Sequence, residues 1–106
     1  MKERRQEPRI HLENVHYVSI VSANRELPSV LLDISVSGAR VGLSPNTTMP
    51  PAGSEVSFKD PAFPLLDNRK ATVMWGMGVQ LGLRFTHHLD ASLQDMAKAL
   101  PSEIFY

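Results

Sequence analysis

Apolar positions along the chain gather into short runs, and the runs are separated by polar or proline-rich breaks. Residues 14–22 (NVHYVSIVS) are rich in β-branched side chains and read as a strand. Residues 28–34 (PSVLLDI) and 38–43 (GARVGL) read as the next two strands, with Asn24-Arg25-Glu26 as a polar turn before them. Residues 44–53 hold three of the eight prolines and form a loop, stiffest at Pro50-Pro51. A short alternating strand follows at 55–59 (EVSFK), then a second Pro-rich connection over 60–68. Residues 69–75 (RKATVMW) and 79–85 (VQLGLRF) predict a hairpin around Gly76-Met77-Gly78. In its second strand Val79, Leu81, Leu83 and Phe85 share one face, and Gln80, Gly82 and Arg84 share the other. The pattern then changes period. Leu89, Leu93, Met96, Ala97 and Leu100 fall on one face of a helix, with Asp90 as its N-cap and Pro101 as its stop.

Six short, closely spaced strands before one helix predict a mainly β fold. The expected form is a small six-stranded antiparallel β-barrel over residues 13–86, with one C-terminal α-helix over 90–100 covering an opening or flank. Residues 1–9 read as a flexible basic arm. Pro8 lacks a donor and holds Glu7 in extended geometry, so no helix runs through Arg5 and Arg9. At 106 residues the chain is a single domain, 1–106, with one modest core.

Charge narrows the function. The formal net charge is zero, which argues against a broad basic face for duplex DNA. Locally, Lys2, Arg4, Arg5 and Arg9 outnumber Glu3 and Glu7, so attraction for an anion is focused on the arm. There are no cysteines, which excludes disulfides, thiolate metal sites and Cys nucleophiles. No apolar leader or run of membrane-spanning length is present, so a cytoplasmic location with no membrane insertion is the expectation. His87 and His88 are adjacent on extended chain and point apart, and His11 and His16 are isolated, so no metal site is expected. Phosphate-loop glycines, a nucleophile elbow and a catalytic carboxylate pair are all missing, so the chain reads as neither an enzyme nor a holder of a cofactor.

Two short motifs carry chemistry. In Asp33-Ile34-Ser35-Val36-Ser37-Gly38, Asp33 and Ser35 stand on one face at a strand end. They offer acceptors and a hydroxyl there, and Gly38 lets backbone approach a ligand or adopt a positive φ. A plain hairpin turn is the commoner use of these residues, and such a turn can still present its side chains outward. In Arg4-Arg5-Gln6-Glu7-Pro8-Arg9, each arginine has a planar fork that pairs with guanine or phosphate and stacks on flat rings. Four residues of extended chain span roughly 13 Å, enough for two arginines to grip opposite ends of a compact dinucleotide. A solvated charged tail is the competing reading. Trp75 is a candidate stacking surface, although a lone Trp at a strand end more often packs the rim. Arg40 is a weaker candidate for a phosphate contact.

Taken together, RRxxxR followed by strand, turn, strand and then DxSxxG-Ala-Arg-Val resembles the PilZ domain family, whose members mostly bind the bacterial second messenger cyclic di-GMP. Ala71-Thr72-Val73-Met74-Trp75 is similar to the family's late strand ending in Trp, and Leu81-Gly82-Leu83-Arg84-Phe85 resembles its closing barrel strand. The likeness runs from about Arg4 to Leu100. It implies a split-barrel fold and a receptor for cyclic di-GMP with no other cofactor. It also implies roles. Arg5 and Arg9 would contact guanine and phosphate. Asp33 would accept from a guanine edge or orient an arginine. Ser35 would hydrogen-bond, and Gly38 would permit close backbone contact. Arg4, just before RxxxR, accompanies binding of two intercalated ligand molecules in such proteins. The output would pass to a separate effector protein or through self-association as a homodimer, in motility, adhesion, exopolysaccharide, biofilm or virulence control. The rival readings are a PilZ-like interaction module that binds no nucleotide and a single-stranded nucleic-acid binder. The second is disfavoured because aromatics are 7% of the chain and are not interleaved with the basic residues.

Overall fold

The computed structural model describes residues 8–12, 14–90, 92–99 and 104–105. Strands β1 (Ile10–Leu12), β2 (Tyr17–Ser22), β3 (Arg25–Ile34), β4 (Gly38–Leu43), β5 (Glu55–Lys59), β6 (Lys70–Met77) and β7 (Gln80–Phe85) precede helix α1 (Leu93–Ala99) and a last short strand, β8 (Ile104–Phe105). The order β2-β5-β6-β7-β4-β3, closed by β2 pairing back onto β3, makes a six-stranded antiparallel barrel. The expected fold is therefore observed.

β3 is the longest strand and organises the lip of the barrel. β4 takes one of its edges. The other edge is shared, with β2 pairing residues 25–30 and β1 pairing Ile34 and Asp33. β8 adds to the far side of β1. Three residues of β1 and two of β8 are too few to show a period, and neither strand is foreseen from the hydropathy pattern.

Inward side chains behave as alternation predicts. Leu81, Leu83 and Phe85 of β7 are buried, and Phe85 meets Phe58 of β5 edge-on with centroids 5.7 Å apart. Val79 departs from that face. It is 41% exposed because the two-residue turn is Gly78-Val79, with Gly78 at φ 61°. The β2–β3 turn is likewise one step earlier than expected. Ser22 pairs with Arg25, so Ala23 (φ 50°) and Asn24 (φ 66°) form the turn and Arg25 and Glu26 join β3.

Three further expectations are corrected. The Pro-rich connection over 60–68 is not merely a link, because Phe63 and Leu66 are fully buried in the core. His16 is not isolated, because its Nε2 lies 2.7 Å from Asp60 Oδ2 and its ring meets Phe63 edge-on, all within the buried interior. The helix starts later than an Asp90 cap implies. Ser92 Oγ accepts from Asp95 N at 3.1 Å, and Asp95 Oδ2 accepts from Ser92 N at 3.4 Å, the reciprocal pattern of a capping box. Met96 carries the helix into the same buried cluster as the barrel side chains.

Candidate functional site

A single cross-strand row builds the lip. His11 of β1 stands opposite Asp33 of β3, Asp33 opposite Arg40 of β4, Arg40 opposite Gly82 of β7, and Gly82 opposite Trp75 of β6. Directly opposed residues share a face of the sheet, so five strands contribute to one strip. A bulge between Leu31 and Asp33 and another between Val73 and Trp75 re-aim β3 and β6 where they enter that strip.

Asp33 is the centre of the charge. It is 3% exposed, which makes cationic partners obligatory for an ionised carboxylate. Arg9 Nη1 donates to Oδ1 at 2.7 Å. Arg40 holds Oδ2 through Nε at 2.9 Å and Nη2 at 2.8 Å. Gln80 Oε1 accepts from Arg40 Nη1 at 3.3 Å. His11 Nδ1 approaches Oδ2 at 3.7 Å, beyond hydrogen-bond reach.

Around this network opens a cleft of about 470 Å³ lined by Arg9, Asp33, Ser37, Gly38, Ala39, Arg40, Met74, Trp75, Gly82, Leu83 and Arg84. Its volume is in the range of small-molecule sites. Three arginines face one aspartate there, so the cleft is cationic although the chain is neutral. Trp75 lies across Gly82, where any Cβ would collide with the indole ring, and 43% of Trp75 remains exposed toward the cleft.

The structure brings together Arg9, Asp33, Gly38, Arg40 and Trp75 from the residues singled out in the sequence. Arg4 and Arg5 lie outside the described residues. Ser35 is fully buried beneath the turn, where its Oγ donates to Gly38 O at 3.3 Å and its N donates to the same oxygen at 2.8 Å. It shapes the turn and does not line the cleft. Gly38 is not in the left-handed region. The reason for a glycine is the β4–β7 contact, where a side chain would run into the Leu83 carbonyl. Arg84, Met74, Ser37 and Gly82 are cleft residues the sequence reading did not select. Arg84 was legible, since strict alternation with Leu83 and Phe85 puts it on the outer face beside Gly82. It makes no hydrogen bond or ion pair among the described residues.

Arranged this way, the cleft offers two guanidinium forks partly occupied by Asp33, one unengaged guanidinium and a flat aromatic surface. That set suits a ligand with anionic groups and planar rings. The PilZ domain family model matches residues 3–100 of the chain. No curated protein matches it.

Proposed function

Because the chain belongs to the PilZ domain family, a family of cyclic di-GMP-binding modules, we infer that this protein is itself a cyclic di-GMP receptor that signals to a partner protein. The observation that carries the reading is the cationic cleft in which Arg9 and Arg40 hold Asp33 and Arg84 shares the lining with an open Trp75 ring. Each part has a matching piece of ligand chemistry. Arg9, with Arg5 and Arg4 upstream, grips phosphate and guanine edges. Trp75 stacks on a guanine face, and Arg84 neutralises a phosphate. Asp33 orients arginines, and the Ser35–Gly38 turn holds the lip in shape.

Ligand binding on this reading draws the N-terminal arm against the barrel and changes charge and shape at the lip, which an effector protein or a second copy of the chain then reads. The protein acts as a binding adaptor and not as an enzyme, and it works in the cytoplasm. Among the described residues no helix is long and apolar enough to cross a membrane.

A second reading is an interaction module that binds no nucleotide. Its support is the apolar surface next to the cleft, where Met74, Met77 and Val79 are 49%, 76% and 41% exposed. Amide chemical-shift mapping with cyclic di-GMP, with GTP and a linear dinucleotide as controls, separates the two. The receptor reading expects shifts concentrated at Arg9, Gly38, Arg40 and Gly82, together with the Trp75 indole. A spectrum unmoved at saturating ligand leaves only the interaction module.

A further inference from the structure

We propose that Arg40, braced by Gln80, is the resident counter-ion of Asp33, and that this frees Arg9 to exchange between Asp33 and the ligand. Arg40 is on this account a positioning residue. The inference rests on the receptor reading for its ligand half, while its ion-pair half concerns the free protein alone.

The two arginines hold Asp33 in unlike ways. Arg40 sits in the middle of β4, between β3 and β7, in direct register with Asp33. It spends two donors, Nε and Nη2, on one carboxylate oxygen and a third, Nη1, on the Gln80 amide. Arg9 comes from the segment just before β1 and makes a single bond through Nη1 to the other oxygen. A buried carboxylate stripped of its last cation costs far more than an exposed pair gains. With Arg40 in place, Arg9 can leave without that cost. Without Arg40, each departure of Arg9 leaves Asp33 buried with no arginine partner and only the His11 ring at 3.7 Å. Of the two, the cation on the segment before β1 is thereby the one that moves, and the barrel-borne cation stays.

A thermal-stability cycle on the free protein tests the first half with Arg9→Ala, Arg40→Met and the double variant. Arg9→Ala is expected to lower Tm by about 2 °C in wild type, and by at least about 8 °C in the Arg40→Met background. Additive losses overturn the proposal. Should Arg40→Met not fold, Gln80→Leu, which loosens Arg40 without removing it, takes its place. The Arg9→Ala loss is then expected to exceed its wild-type value, and an equal loss overturns the proposal.

The second half is read by cyclic di-GMP titration. Arg40→Met is expected to weaken binding at least about tenfold, and Arg40→Lys to restore it to within about threefold, because a lysine still pairs with Asp33. A lysine that rescues nothing identifies Arg40 as a direct guanidinium contact and overturns the positioning role. Failure of wild type to bind overturns the receptor reading and leaves the stability cycle as the judge of the ion-pair exchange.

Discussion

Gly38 and Gly82 face each other's strands across β4 and β7, yet the missing side chain does different things at each. At Gly38 the space is taken by a rigid backbone carbonyl, that of Leu83, so a methyl group must push β4 and β7 apart. Gly38→Ala is expected to cost about 1–3 kcal/mol, seen as a lower urea midpoint with an unchanged slope. At Gly82 the space is taken by the Trp75 ring, which can swing away. Gly82→Ala is expected to cost under about 1 kcal/mol but to shift the emission of the only tryptophan and weaken ligand binding. An unchanged emission spectrum contradicts the placement of the ring on Gly82. The sequence does not mark Gly82 at all, and it marks Gly38 as special but not the reason. That reason is what lies on the neighbouring strand, and single-strand periodicity carries no information about it. The same limit hides the partnership of His16 with Asp60, which are 44 residues apart.

At the level of elements, the six barrel strands were legible, while β1, β8 and the turn positions were not. Alternating apolar residues mark each of the six barrel strands because one face of each is buried. Turns are fixed by register, and the Ser22–Arg25 pair moves the β2–β3 turn onto Ala23-Asn24. Both residues there have positive φ, a conformation that costs an L-residue without a polar side chain about 1–2 kcal/mol. Ala23→Gly is therefore expected to stabilise the domain by about 0.5–1 kcal/mol, measured by equilibrium urea denaturation, without touching the cleft. A lower midpoint contradicts the positive-φ turn. Phe63 and Leu66 escaped notice for a related reason. They enter the core from consecutive turns, where neither the strand nor the helix period applies.

Over the whole molecule, the site is a product of topology. The two motifs that suggested a ligand are separated by β1, β2 and most of β3, and they meet only because β1 returns to the edge of β3 beside Asp33. A sequence pattern can place Arg9 and Asp33 in one family signature. It cannot show that they are bonded to each other, with Arg40 as a third member and Arg84 lining the same cleft. Net charge is equally blind, since a neutral chain concentrates three arginines around one aspartate in a single cleft. The central claim is that this cleft receives cyclic di-GMP with the help of Arg9. Calorimetric titration of cyclic di-GMP into wild type and Arg9→Ala tests it most directly. The account predicts saturable binding by wild type and affinity at least about tenfold lower for the variant. No binding by wild type at high micromolar ligand, or equal affinity in the two proteins, contradicts it.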